Sequence, residues 1–372
     1  MKFLFQNEEL LLLGSFFIAF VVTFVSIPPV IEVAREKKLY AVPNGRTSHE
    51  QVTPNLGGLA IFSGFVISSM IFVQIAKIPY IQYVLAGTVV IFFIGLKDDI
   101  IGLSPLKKFI GEIVAAALII DLGNIRITDL HGFLGVGMID YYSSDLISLL
   151  IVIAIVNAMN LIDGIDGLAS GVGILASLAF GIWFYLIDEV QLAILSLSLI
   201  GALLAFFLFN VFSRHHKIFM GDIGSLLLGF ILSIFAIKFN ELNNAALLQS
   251  PFFIKTAPAV SIGILILPVF DTCRVIAIRV AKGLSPFKAD KRHVHHYLLE
   301  LMHSHKKATF TLLIVNLFFI IISFLLRNLD LVYLSLILFV LASVLSFVPY
   351  HMVRNSRKKN TMTPKAFKAQ AE

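Results

Sequence analysis

Apolar runs close to twenty residues long recur from one end of this chain to the other, and no other feature constrains its fold as tightly. A run of that length is what a helix needs to cross the roughly 30 Å hydrocarbon core of a bilayer. In that solvent each backbone amide must be bonded within the protein, so such runs have to be helices. Eleven are expected, over approximately 10–32, 57–76, 80–96, 108–122, 146–160, 168–187, 190–211, 224–240, 254–277, 308–326 and 331–350. Only 14% of the 372 residues are charged, against about 25% in a soluble domain, which excludes a water-soluble core of this size. The expected fold is all-α: a polytopic integral membrane protein with about eleven transmembrane helices. Residues 1–350 read as one membrane domain, followed by a basic tail over 351–372.

The first run, Leu10 to Val30, exceeds the roughly 7–15 residues of a signal-peptide core and has no A-x-A-like cleavage site, so it reads as a retained helix. Orientation follows from lysine and arginine. With the N-terminus outside, 23 of the 29 fall in inner segments and six in outer ones. That bias sets the C-terminus in the cytoplasm and explains the net charge of +6 without invoking nucleic acid. The single cysteine, Cys273, excludes an internal disulfide and a cysteine-based metal site. Between Gly123 and Asp145, alternation and glycines predict a small outer hairpin with no chemistry of its own.

Every dense polar motif falls on the inner face under this topology. The stretch Asn157-Ala-Met-Asn160-Leu-Ile-Asp163-Gly164-Ile-Asp166-Gly167 sits where a helix ends, facing the negative pole of its dipole. Capping does not explain carboxylates there, so a cation or hydrogen-bond donor is expected beside them. Adjacent Asp98 and Asp99 pose the same problem, sharpened by mutual repulsion, with Lys97, Lys107 and Lys108 at hand to offset it. Asn replacement of either aspartate is therefore expected to raise thermal stability slightly without substrate or metal. Asp222, in Met220-Gly221-Asp222-Ile-Gly224-Ser225, reads either as a helix N-cap or as a ligand-facing carboxylate between glycines that admit close approach. Pro43 to Gly58 contains Arg46 and His49, which suit an anionic group. The last motif, Arg292-His293-Val-His295-His296, suits phosphate oxygens better than zinc: His293 and His295 would diverge on a helix, and the surrounding Lys288, Lys291 and Arg292 repel a dication. Hard carboxylate oxygens without thiolates suit Mg²⁺, and such an ion beside cationic side chains is apparatus for phosphoryl transfer.

In order and spread, these motifs resemble those of the polyprenyl-phosphate N-acetylhexosamine-1-phosphate transferases. The resemblance implies transfer of a sugar phosphate, most simply N-acetylglucosamine-1-phosphate, from a UDP-sugar to undecaprenyl phosphate, releasing UMP. It implies Asp222 as the Mg²⁺ ligand (Mn²⁺ being the alternative ion), Asp98 and Asp99 as the catalytic pair, and Asp163 and Asp166 with Asn157 and Asn160 as catalytic and nucleotide-side residues. Lys108 corresponds to a phosphate-binding lysine, although Glu112 stands where glutamine is expected. Arg292, His293, His295 and His296 correspond to the diphosphate loop. The His-x-His-His form matches the N-acetylglucosamine-type enzymes better than the branch using UDP-muramoyl-pentapeptide. The implied setting is the bacterial inner membrane, with the active site on its cytoplasmic face; monomer or homodimer stays open. The competing class is a cation-coupled transporter, whose site would lie at the bilayer midplane rather than at one rim.

Overall fold

The computed structural model describes residues 7–41, 53–284 and 292–368. The chain opens with α1 (Glu8–Glu36), whose first amides are bonded by the Asn7 side chain. A two-residue antiparallel pair, β1 (Tyr40–Ala41) with β2 (Thr53–Pro54), brackets the segment carrying Arg46 and His49, both outside the described residues. Then come α2 (Gly57–Phe72), α3 (Ile81–Ile101) and α4 (Pro105–Ala117), the last continued by a π-helical turn, Leu118–Leu122. The expected hairpin forms as β3 (Asp129–Phe133) and β4 (Val136–Met138), and leads into α5 (Tyr141–Ile162). After α6 (Leu168–Leu186), α7 (Val190–Phe207) ends in a second π turn, Leu208–Phe212. There follow α8 (Gly221–Leu242), α9 (Ala257–Ile264), α10 (Ile266–Val280), α11 (Val294–Met302), α12 (His305–Leu325) and α13 (Leu331–Lys368).

The eleven expected runs fall largely on helices, but among the described residues seven helices, or eight with α9 and α10 counted as one span, are long and apolar enough to cross a membrane, fewer than the eleven spans expected. One run also differs in shape. The run over 254–277 is not one straight helix: α9 and α10 meet at 85°. Pro268 lacks the amide that would bond the carbonyl of Ile264, and its ring crowds that carbonyl, so the helix cannot continue across the junction. α13 carries on past Tyr350 to Lys368.

α8 is the axis of the bundle and is buried along almost its whole length. It packs against α2, α3, α5, α6 and α9, while α1 and α7 close the far side of α2. Phe180 and Trp183 of α6 meet Phe239 of α8 at ring separations of 5.4 and 4.4 Å, fixing the hairpin end of the axis. At the opposite end the helices approach through glycine. A Cβ on Gly95 of α3 would stand 2.5 Å from the Cα of Ile223, and one on Gly58 of α2 would stand 2.7 Å from the Cα of Gly224. Without hydrophobic drive between helices in lipid, such backbone contact is the main source of attraction. Gly224, two residues after Asp222, is part of this close packing. Backbone bonds from Gly57 to the Phe219 carbonyl (2.9 Å) and from Gly58 to that of Met220 (2.8 Å) stitch the α2 entry to the α8 entry.

Gly58→Ala would push α2 off α8 and is expected to cost about 1–3 kcal/mol. Melting temperature in detergent checks this, with Gly137→Ala as the comparison: its Cβ would meet nothing nearer than Asp129 Oδ1 at 3.8 Å.

Candidate active site

The site forms where α3 and α5 end and α8 begins. Gly221 has a φ of +70°, a conformation a side chain resists, and there it turns the chain into α8 against the Asn55 carbonyl and the Asp99 carboxylate. The first amides of α8 need acceptors. Asp99 supplies them from α3: Oδ1 accepts the Asp222 amide at 2.9 Å and Oδ2 the Ile223 amide at 3.0 Å, while Asn55 Nδ2 donates to Oδ1 at 3.3 Å. The unfavourable dipole of its own helix is thereby offset by the favourable pole of another. Asp222, relieved of capping, turns its side chain inward; the N-cap reading does not hold.

Lys108 is the centre of the inward cluster. Ser104 and Pro105 start α4 so that its first full turn carries this lysine toward α3 and α8. Its Nζ lies 3.1 Å from Asp98 Oδ2, 3.0 Å from Asp222 Oδ1 and 3.5 Å from Asn160 Oδ1. Asp98 Oδ1 also accepts the Leu103 amide at 2.7 Å, just past the end of α3. The Asn160 amide donates to Asp222 and to Ser225 Oγ, fixing which way the aspartate faces. One turn behind, Asn157 donates to Glu112 Oε2 at 2.6 Å, and Glu112 is only 1% exposed. A glutamine carbonyl would accept the same bond, so the glutamate is compatible with this geometry. Asn157 therefore faces the packed interior of the site.

The two remaining aspartates part company. Asp163 ends α5 as its C-cap. Burial, then the charges of Asp222, Asp99 and Asp166, push its carboxyl well above the usual range. Asp166 is a tie between loops: Lys217 Nζ donates to it at 2.7 Å, His305 Nδ1 lies 3.6 Å away, and Thr309 bonds its carbonyl. Asn210, carried by the second π turn, completes the tie by accepting the Gly167 amide and donating to the Ile218 carbonyl.

The histidines do not diverge as expected, because His293 precedes the first turn of α11 rather than lying within it. Its ring stacks on His295 at 5.5 Å and 12°, and His295 meets His296 at 4.2 Å. His295 is 2% exposed, neither of its ring nitrogens has a hydrogen-bond partner among the described residues, and its Nε2 edge fills the space a side chain on Gly164 would need. Burial, reinforced by His296, pushes its pKa down to about 3. It is a neutral wedge between α11 and the end of α5, and His296 is the half-exposed member. His293 is held by Asp271 of α10. The sequence alone does not single out Asp271, Arg274, Asn210 and Lys217. The signal available was a pair of charges three residues apart inside an apolar run. Among the described residues, no three His, Cys, Asp or Glu side chains converge tightly enough to hold a metal by themselves.

A family model described as glycosyl transferase family 4 matches residues 81–240, which contain all the site's aspartates except Asp271. The decaprenyl-phosphate N-acetylglucosaminephosphotransferase of Mycobacterium tuberculosis is 34% identical over 326 residues, covering 81% of this chain and 78% of that protein. The undecaprenyl-phosphate alpha-N-acetylglucosaminyl 1-phosphate transferases of Yersinia pestis and Escherichia coli K12 are 28% and 27% identical. They cover 83% and 74% of this chain, and the matches span 80% and 73% of the relatives. With a multi-helix membrane fold and a rim of aspartates in place, the chain belongs to this family, the membrane-bound polyprenyl-phosphate N-acetylhexosamine-1-phosphate transferases.

Two outcomes follow from the geometry. Asp99→Asn removes a charged acceptor from two helix-end amides and is expected to lower stability by about 1–2 kcal/mol, reversing the gain expected for both aspartates; thermal unfolding of the purified variant measures it. His295 has a folded pKa depressed below its unfolded value near 6.5, so the unfolded chain binds the extra proton. Its contribution is therefore whole above about pH 6.5 and is lost toward pH 3 at up to about 1.4 kcal/mol per unit. His295→Leu should flatten that part of a melting-temperature profile against pH.

Proposed function

We propose that the protein transfers N-acetylglucosamine-1-phosphate from UDP-N-acetylglucosamine to undecaprenyl phosphate and releases UMP. The observation that carries this reading is the convergence of Asp98, Asp222 and Asn160 on Lys108 at one end of three helices. A site at the helix ends admits a water-soluble nucleotide from one side and a lipid phosphate from the bilayer, whereas a transporter site belongs near the midplane. The substrates in the relatives' names support the sugar and the polyprenyl acceptor. The positive-inside count supports a cytoplasmic site in the bacterial inner membrane.

In the reaction, an oxygen of the lipid phosphate bonds to the sugar-bearing phosphorus of the donor. The bond from that phosphorus to the bridging oxygen breaks, and UMP leaves with that oxygen. A phosphomonoester has a second pKa near 6, so the acceptor is already largely dianionic and attack needs no general base. Asp98 then orients rather than deprotonates, and Lys108 offsets charge among the phosphates. His296 and Arg292 flank the donor diphosphate. Asp163 and Asn160 line the nucleotide side. Hard carboxylate oxygens gathered on one cation fit Mg²⁺, or Mn²⁺ in its place, with Asp222 and Asp98 as the residues to hold it. When bound, that ion would polarise phosphoryl oxygens and neutralise developing charge.

Asp222→Asn keeps the shape, spares the helix cap and removes the charge, so turnover should fall at least about a hundredfold while the melting temperature stays close to that of the parent. The assay is UMP release by detergent-purified protein across a panel of UDP-sugars, with and without undecaprenyl phosphate. Release independent of the lipid phosphate, or more than a tenth of parental turnover in the variant, would overturn the assignment.

A further inference from the structure

Asp271 lies in α10, the second half of a broken span, is 5% exposed, and plays no part in the chemistry above. A buried carboxylate there is costly unless fully engaged, and this one is. Arg274, one turn on, donates Nη2 to Oδ1 at 2.7 Å and Nε at 3.3 Å. The Val294 amide, first in α11, sits 3.3 Å from Oδ1 and 3.2 Å from Oδ2. His293 Nδ1 lies 2.9 Å from Oδ2. Arg274 Nη2 also reaches the Arg292 carbonyl at 2.6 Å. Three groups, one on α10 and two on the segment 293–294, therefore meet at one carboxylate.

The chemistry of this set fixes a proton. Arginine and a backbone amide only donate, and a carboxylate surrounded by such donors is held as an acceptor. The remaining group on it, His293 Nδ1, must then carry hydrogen. Nε2 becomes the ring atom left to meet an outside group. A carboxylate that sets a histidine's tautomer through the nitrogen not used in chemistry is a general positioning device.

We propose that Asp271, braced by Arg274, is a positioning residue that holds His293 as the Nδ1–H form and aims Nε2 toward the donor diphosphate. The second half of this rests on the function proposed above; the first half does not. Asp271 also caps α11 from outside, so the helix that carries His295 and His296 starts where α10 dictates. The 85° break is what brings α10 to this position.

The test has a spectroscopic arm and a kinetic arm. In protein labelled with ¹⁵N-histidine, with His293→Gln supplying the assignment, His293 Nδ1 should show the shift of a protonated ring nitrogen. In Asp271→Asn the amide can present a donor to Nδ1, and the proton should move to Nε2. The KM for UDP-N-acetylglucosamine should then rise on the order of tenfold, while kcat changes by less than about threefold. Asp271→Glu should restore both the tautomer and most of the KM. An unprotonated Nδ1 in the parent protein overturns the pairing, and needs no variant that folds. An unchanged tautomer in Asp271→Asn overturns it as well. A moved proton with unchanged KM overturns the contact with the donor. If the parent protein does not use UDP-N-acetylglucosamine, the kinetic arm reports failure of the functional reading while the nitrogen shift still decides the pairing.

Discussion

The site depends on one interaction: a carboxylate at the end of α3 accepting the first free amides of α8. α8 is the buried axis of the bundle, and the first amides of a helix have no partner within it. Asp99 supplies one from a neighbouring helix. Because the acceptor comes from elsewhere, the residue at the start of α8 is released. Asp222 can then face Lys108 and Asn160, where an ordinary capping aspartate would be folded back on its own amides. The same contact ties α3 to α8 at the point where Gly95 allows their backbones to meet, so the register of the helices and the aim of the aspartate are set together.

Asp271 repeats the arrangement at α11. Again a carboxylate on one helix takes up the leading amide of another, and again the first residues of the capped helix are left to other work. The two caps differ in their surroundings. Asp99 meets two backbone amides and the neutral Asn55 side chain, whereas Asp271 has a guanidinium against it and an imidazole beyond. The first therefore acts mainly on the frame, and the second reaches a titratable ring.

The hydrophobic runs made the helices legible in the sequence, because in lipid a long apolar segment has one viable backbone structure. The break at Pro268 was not legible, since a proline within a span can kink, end or merely soften it according to its neighbours. At the site, Asp98, Asn160, Lys108 and Asp222 were each visible as charges or amides at the rim of an apolar run. Their convergence was not, because it depends on which helix ends meet. The division of labour within each pair was also hidden. Asp99 and Asp98 are adjacent in sequence but turn to different helices, and Asp163 and Asp166 separate because α5 ends at Ile162 and the chain turns from Asp163 onward. Likewise His295 and His296 are neighbours in sequence, yet one is a wedge and the other half-exposed. Spacing alone could not tell them apart.

The wedge has a consequence for how such a chain can change. His295 occupies the volume that a side chain at Gly164 would claim, so the two positions hold a single allotment of space between them. A methyl group added at the first demands a smaller ring at the second, and a smaller residue at the second leaves a hollow that only the first is placed to fill. Motifs at far-separated points of the chain are therefore not free to drift independently. Any redesign of the histidine segment for a different donor begins with a choice made at the end of α5.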